Sequence, residues 1–383
     1  MTKRQKTILI VVGILTGIIA IVFGFGIFAA YQARNAADRM YQAVDHDGNT
    51  VNTAAADPFS ILLLGIDSGG LGRDDKGRSD TTMIVTINPK KKTTTITSID
   101  RDFLVEIVGK ERHDKLNSAY SYGGVQMTID TLENFLDVPI NHYATINLQG
   151  LEDLIDAVDG IEVNNKIDFT LDGIHVPKGK VTLDGKKGLA YARMRKDDST
   201  GDMGRQERQR EVLTKVVKKL ASVNTVKYYT KVLEALGDNV TTDLTWNQML
   251  DIATNYQAAL TKIVSIQIGG QGYMINDGYY QIPPYYGTLE ASNQLREQLG
   301  LADNAVLSLV KDEEQRLYDD SYVEPDAGWD DATRTSNVYF GPYFEGFSST
   351  RPTQESTEGS QSETTTTDTS TSEVYDTETA GNE

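Results

Sequence analysis

The chain contains no cysteine. That excludes disulfides, thiolate-bound zinc, iron–sulfur clusters and cysteine nucleophiles together. Histidine is nearly as scarce: His46, His113, His142 and His175 are all there are, with no His-x-x-x-His pair among them, so a histidine-rich metal site is not expected. Positive charge is in deficit. Against 55 Asp and Glu stand 37 Lys and Arg, a net charge of −18 over 383 residues. Phosphate-backbone contact needs a basic face, so nucleic acid is not expected as a partner.

The deficit is local. Lys311–Glu383 holds 18 acidic and 4 basic residues, a net of −14, which leaves only −4 for residues 1–310. Any basic site in the body is hidden by the average. Residues 348–383 are half Ser and Thr, 18 of 36, and carry too little apolar surface to form a core, so a disordered tail is expected. Residues 306–347 are acidic but hold Tyr318, Tyr322, Trp329, Tyr339, Tyr343 and Phe344; they read as an extension without regular structure.

One long uncharged run is present, Ile8–Ala33. Its length suits a helix across the hydrocarbon layer. Lys3, Arg4 and Lys6 precede it, which orients residues 1–7 toward the cytoplasm, makes 8–33 an uncleaved transmembrane anchor and exports the rest. A signal peptide would have a shorter apolar region ending at a small-residue cleavage site. Residues 34–57 read as an extracellular stalk, helical at first and turn-rich later.

The body alternates strands and helices. Ser60–Ile66 is a continuous apolar run, read as a buried strand. Thr82–Ile87 and Thr93–Ile99 are β-branched runs joined by Asn-Pro and lysines, read as a hairpin. A helix with a Gly123-Gly124 break is expected over 116–136, a strand over Asn141–Asn147 and an amphipathic helix over Leu148–Val158. Further helices are expected ending near Met194, over Met203–Leu220 with basic residues on its outer face, and over Trp246–Leu260. A late strand covers Ile263–Ile268. The fold class is α/β, a three-layer α/β/α sandwich with a central mixed sheet, preceded by the transmembrane helix.

Three segments could carry chemistry. In residues 65–82, Asp67 follows the first strand and Asp80 opens the second. Two carboxylates at strand ends are suitable ligands for Mg²⁺, a hard ion that leaves room for substrate phosphate. Arg78, two residues before Asp80, can face the same cavity on an extended segment. A polar loop with capping aspartates is the plainer alternative, and no Walker motif is present. In Ser98–Ile107, Arg101 and Asp102 form either a structural ion pair or an anion-directed guanidinium.

The third segment, residues 191–210, packs five arginines into 20 positions of an acidic chain. Arg193 and Arg195 are two apart. Arg205, Arg208 and Gln209 share a helix face, and Asp202 can cap that helix. Tyr191, Met194 and Met203 suggest the lip of a cleft, although a solvated basic face is the ordinary alternative. Together the three segments predict a pyrophosphate pocket with a divalent ion on two aspartates and a crown of arginines, suited to phosphoryl transfer by positioning and charge neutralisation. No Ser-His-Asp arrangement stands out, so direct attack by an acceptor hydroxyl is favoured over a covalent intermediate.

Read in order, LLLGIDS, GRSDTTMIVTINP, SIDRDFLVEI, HDKLNSAYSYGG, NHYATINLQGLEDLIDAVDGIEV, LDGKKGLAYARMR and GDMGRQERQR resemble the LytR-CpsA-Psr family of bacterial cell-envelope proteins, across a catalytic domain of residues 58–305. One departure is Asp100, where the family usually has proline. The resemblance implies an α/β/α sandwich with a deep apolar channel for a polyprenyl chain. It implies Mg²⁺-dependent (alternatively Mn²⁺-dependent) transfer of a glycopolymer, such as a wall teichoic acid or capsular polysaccharide, from a polyprenyl-pyrophosphate carrier to peptidoglycan, forming a phosphodiester at the membrane of a Gram-positive bacterium. Carried over by position, the metal ligands fall on Asp67 and Asp80. The pyrophosphate-binding arginines fall on Arg78, Arg101, Arg193, Arg195 and Arg205, with Gln209 beside them. Lys115 and Asn117 match a Lys-Leu-Asn motif lining the pocket, and Asp202 matches an acidic residue near the phosphates. The general base stays open between Asp80 and Asp202; Arg101, Arg193 and Arg195 would share the catalytic work. The apolar faces at Met127, Ile129, Leu132, Phe135 and Leu136, and at Leu151, Leu154, Ile155 and Val158, are candidate channel walls, with plain core packing as the alternative. Hydrolysis of the polyprenyl pyrophosphate, membrane-bound transcriptional regulation and a purely structural wall-binding role are the competing functions; the absence of an evident helix-turn-helix counts against regulation.

Overall fold

Residues 31–46, 48–67, 77–110, 112–221, 232–275, 278–304, 307 and 349–350 are described by the computed structural model. The expected cytoplasmic segment, nearly all of the expected transmembrane run, and almost all of the acidic extension and Ser/Thr-rich tail lie outside these residues. Among the described residues no helix is long and apolar enough to cross a membrane.

A six-stranded mixed sheet forms the centre. Its strands are β1 (Phe59–Ile66), β2 (Ser79–Asn88), β3 (Thr93–Ile99), β6 (His142–Asn147), β11 (Val240–Thr242) and β12 (Lys262–Gln267), in the spatial order β11-β6-β1-β2-β3-β12. The pairs β1–β6 and β3–β12 are parallel; β1–β2, β2–β3 and β6–β11 are antiparallel. The expected hairpin is β2–β3, turned at Pro89–Lys92, with Lys92 at φ 53°.

Successive side chains point to opposite faces of the sheet. Leu62, Leu64, Ile66 and Ile84 fill one face with α2 (Leu116–Leu136) and α7 (Tyr285–Leu299). Met83, Val85 and Ile96 fill the other with Leu213 of α5 (Asp202–Ala221). The helix α2 breaks where expected, at Gly124 with φ 68° and ψ −151°. Helices therefore lie on both faces of a mixed sheet, and the α/β class holds.

On the α5 side a second core joins α3 (Leu148–Ala157), α4 (Gly185–Arg193) and α5 to two small hairpins. These pair β7 (Ile161–Asn165) with β10 (Gly179–Leu183), and β8 (Phe169–Leu171) with β9 (Ile174–Val176). Local side-chain caps start the helices: Asn147 accepts from Gly150 N–H for α3, and Asp184 accepts from Lys187 N–H for α4. A third hairpin, β4 (Leu104–Ile107) with β5 (Arg112–Lys115), leads into α2. A fourth pairs β13 (Gln271–Ile275) with β14 (Gly278–Ile282). None of these four hairpins is evident from periodicity, because strands of three to five residues give too few alternations.

A helix covers residues 31–40 (α1), and the expected stalk, helical to residue 40, then carries turns at residue 48 and at Thr53–Ala55, but the segments 41–46 and 48–57 do not stand free of the domain. Gln42 N–H donates to Thr242 O at 2.8 Å, Asp45 N–H donates to Gln126, and Thr53 donates to Asp251 at 2.9 Å just after α6 begins at Trp246 (Trp246–Asn255).

Candidate active site

The site grows from the end of β1. Leu63, Gly65 and Asp67 point to the α5 side. On β2 the register skips a residue: Gly65 pairs with Thr81 and Ile66 pairs with Ser79, so Asp80 is the extra residue of a β-bulge. A bulge turns its side chain away from strict alternation. Asp80 and Thr81 therefore both line the cavity that Asp67 enters. A Cβ on Gly65 would lie 2.9 Å from Thr81 Cβ, and only glycine allows the two strands this approach. The bulge also sets the place of Arg78. Its carbonyl accepts from Asp67 N–H at 3.1 Å, but its side chain is exposed and is not among the cavity-lining residues.

The cavity has a volume of about 340 Å³. Its walls are apolar: Leu63 and Met83 from the sheet, Leu151 and Leu154 from α3, Leu189 from α4, and Val212, Leu213 and Val216 from α5. One end is polar, with Asp67, Asp80, Arg193, Arg205 and Gln209. Of the expected channel walls, Leu151 and Leu154 are present. Ile129, Leu132, Phe135 and Leu136 are instead solid core on the opposite face of the sheet, with Met127 packed against them, and Ile155 and Val158 belong to the second core. An amphipathic stripe looks the same whether it meets a cavity or another helix.

A smaller recess adjoins the polar end, bounded by Asp80, Ser98, Arg101, Arg205, Gln206 and Gln209. Arg101 Nη1 lies 2.8 Å from Asp80 Oδ1, and its Nε lies 3.6 Å from Asp102 Oδ2. Burial opposes the Arg101 charge, and the carboxylates of Asp80 and Asp102 more than offset it, so its pKa stands above the ordinary guanidinium value. Arg205 Nη2 lies 2.8 Å from Asp202 Oδ1; burial lowers its pKa, and Arg101 and Arg195 add repulsion. Arg195 is half-exposed, its Nε 3.8 Å from the same Asp202 oxygen. Arg193 reaches Asp172 at the β8–β9 turn, 2.7 Å away.

Asp202 is thus an ion-pair partner at the first turn of α5. The outer basic face expected on α5 is confined to its lysines, with Lys218 exposed, whereas Arg205, Arg208 and Arg210 are all buried. Arg208 holds Asp198 and the carbonyls of Tyr191 and Met194, which removes it from the anion site. Tyr191 and Met194 are core residues, not a cleft lip, while Met203 is exposed.

Lys115 and Asn117 stand behind the site and do not line it. Lys115 Nζ pairs with Asp102 at 2.9 Å, and Asn117 N–H donates to the Arg101 carbonyl at 3.1 Å. Asp100 is buried beneath the same turn. It accepts from Asp102 N–H, from Gln206 Nε2 at 3.0 Å and from Gln281 Nε2 at 2.9 Å. Burial pushes its carboxyl up to about 6. The roles of Gln206 and Gln281 have no signal in the sequence; that of Asp100 had one in its unusual place before the Arg-Asp pair.

Several polar atoms here are buried without a hydrogen-bond partner: Arg101 Nε, Arg205 Nε and Gln209 Oε1. Such atoms are costly unless a ligand meets them. Asp67 and Asp80 are oxygen donors of the kind that could hold a hard divalent ion.

Known proteins resemble this chain over most of its length. The LytR_cpsA_psr family matches residues 27–297. The chain is 42% identical over 300 residues to the polyisoprenyl-teichoic acid–peptidoglycan teichoic acid transferase TagU of Enterococcus faecalis, covering 78% of this chain and 99% of that one. A crystal structure described as a transcriptional regulator from Enterococcus faecalis is 50% identical, with TM-score 0.61, covering 67% of this chain and 93% of that one. The structure of TagT bound to LIIa-WTA is 30% identical, with TM-score 0.57, covering 68% of this chain and 100% of that one.

Proposed function

The chain belongs to the LytR-CpsA-Psr family, and from that membership and its cavity we propose that it transfers a teichoic-acid-type glycopolymer from a polyprenyl-pyrophosphate carrier to peptidoglycan. One observation carries the reading: an apolar cavity ends on a cluster of arginines and aspartates, Arg193, Arg205, Asp67 and Asp80, with Arg101 bound to Asp80. That juxtaposition suits a lipid diphosphate. The prenyl chain occupies the apolar part and the diphosphate the polar end. The relatives named as teichoic acid transferases support the substrate class.

In the proposed reaction the acceptor hydroxyl oxygen attacks the phosphorus that bears the glycan. The bond from that phosphorus to the bridging oxygen breaks, polyprenyl phosphate leaves with the electron pair, and the hydroxyl proton is released. Arg101, Arg193, Arg195 and Arg205 neutralise the charge that builds on the phosphate oxygens, which is where such sites gain most of their rate. Asp67 and Asp80 would hold Mg²⁺, which when bound supplies further charge neutralisation at the diphosphate. Asp80 is tied to Arg101 and Asp202 to Arg205 in the ligand-free protein, so either carboxylate acts as a base only after its arginine turns to the substrate. The charge-free run at residues 8–33 would anchor the domain at the outer face of the membrane, where the lipid carrier resides.

The test is transfer in vitro from a prenyl-pyrophosphate glycan labelled at the glycan-linked phosphorus. Label in a phosphodiester on peptidoglycan supports the proposal. Label released into water at the same rate with and without acceptor makes the protein a hydrolase.

A further inference from the structure

We propose that the β13–β14 hairpin forms the acceptor side of this site and that Tyr279 is a stacking platform for a pyranose ring of the acceptor glycan. The inference rests on the transfer reading above and adds the residue that receives the second substrate.

The hairpin is fastened to the turn that bears Arg101. Gln281 N–H donates to Asp102 O at 2.9 Å, and Gln281 Nε2 donates to Asp100 Oδ2 at 2.9 Å. A Cβ on Gly270 would lie 2.5 Å from the Phe103 ring, so the backbone there is pressed against the turn. Side chains two apart on a strand share a face. Since the Gln281 side chain reaches Asp100, Tyr279 stands on that same side of the hairpin, while Tyr280 turns the other way and sits under Lys115 Nζ, 5.3 Å from the ring centroid.

The Tyr279 ring has a flat seat. Gly272, diagonal to it across the hairpin, carries no side chain, and a Cβ there would lie 2.7 Å from Tyr279 Oη. The ring is nevertheless 36% exposed. Its charged neighbours are Asp100, Asp102, Asp202 and Arg195. An aromatic face with carboxylates and a guanidinium around it fits a sugar, whose C–H face packs on the ring while its hydroxyls bond to the charged rim.

The side of approach identifies which sugar. The lipid chain of the donor fills the apolar cavity, so the departing lipid phosphate leaves toward it. The attacking oxygen enters roughly in line and opposite. Tyr279 lines neither the apolar cavity nor the recess beside it, and its strand is bonded to the turn that bears Arg101 and Asp102.

The test uses the full chain in detergent micelles, with a prenyl-pyrophosphate disaccharide donor and a soluble tetrasaccharide of alternating N-acetylglucosamine and N-acetylmuramic acid. Tyr279→Ala is expected to raise the acceptor KM at least tenfold while the donor KM moves less than twofold, and Tyr279→Phe is expected to restore the acceptor KM. An unchanged acceptor KM, or a comparable rise in donor KM, overturns the assignment; the latter places the donor's own sugar on the ring. A second arm needs no chemistry: saturation-transfer NMR of the tetrasaccharide with wild type and with Tyr279→Ala, at matched thermal melts. Loss of signal in the variant supports the platform even where wild type fails to transfer, and equal or absent signals in both overturn it. Failure of the transfer reading itself appears separately, as no acceptor-dependent product with wild type.

Discussion

Arg101 and Asp80 are bound to each other at 2.8 Å, one on the turn after β3 and the other on the bulge of β2. The guanidinium proposed to meet phosphate is held by a carboxylate proposed to hold metal. The two are paired in a partly buried recess.

Replacing Arg101 with alanine removes a positioned cation where negative charge develops. The expected loss of transfer is roughly 10²–10³-fold, by analogy with deletion of one transition-state hydrogen-bond donor. Arg195→Ala should also abolish most transfer. Circular dichroism should be unchanged in both variants. Wild-type rates in the two would remove these arginines from the pocket.

Asp67→Ala should shift the Mg²⁺ dependence upward, roughly 10-fold or more in half-saturating metal, since ligand and near-ligand changes have effects of that size. The measurement is initial rate against free Mg²⁺. A curve that superimposes on wild type takes Asp67 out of the ligand set.

Leu154→Trp fills part of the apolar cavity wall. The expected result is a rise of roughly tenfold in KM for a long-chain prenyl donor and a smaller change for a short-chain analogue, the pattern of lost ground-state binding. Equal effects on both chain lengths would show that the prenyl group lies elsewhere.

His46 ties the stalk to the sheet edge. Its Nδ1 faces Ile140 O at 2.9 Å and its Nε2 faces Asp243 Oδ2 at 2.7 Å. Both neighbours accept, an arrangement that favours the doubly protonated ring. Its pKa is raised, chiefly by the Asp243 hydrogen bond; burial works against this. Asp243 lies low, at about 2, because the hydrogen bonds from His142, His46 and Tyr143 N–H outweigh its burial. The histidine contribution is full below its unfolded pKa of about 6.5 and fades as pH rises through the higher folded value. The aspartate contribution is full above about 4 and fades as pH falls toward 2. His46→Gln should therefore cost most near pH 5–6, about 1 kcal/mol after discounting for solvent, and little at pH 9. Thermal melts of both proteins across pH check this; a pH-independent difference would show that the ring acts only by packing.

Much of the architecture follows from local pattern. Ser60–Ile66 is apolar enough to be buried on both faces, and the β-branched runs around Asn88-Pro89 leave little choice but a hairpin. The site residues are legible as types, because two aspartates and several arginines in an acidic chain stand out. Their pairing is not. Arg78 falls outside because a bulge breaks the alternation used to place it, and Arg208 falls outside because its buried partners lie in the preceding loop and helix.

The sequence by itself determined most of the central strands and the helices beside them, since those depend on neighbours within a turn or a strand, and it marked the charged residues from which an anion site is built. Only the tertiary structure decided the short hairpins, which arginines face the cavity, that Gln42 bonds the edge strand, and that Gln281 clasps Asp100 across 181 residues. Such contacts obey hydrogen-bonding and packing between segments remote in the chain, and no local spacing encodes them.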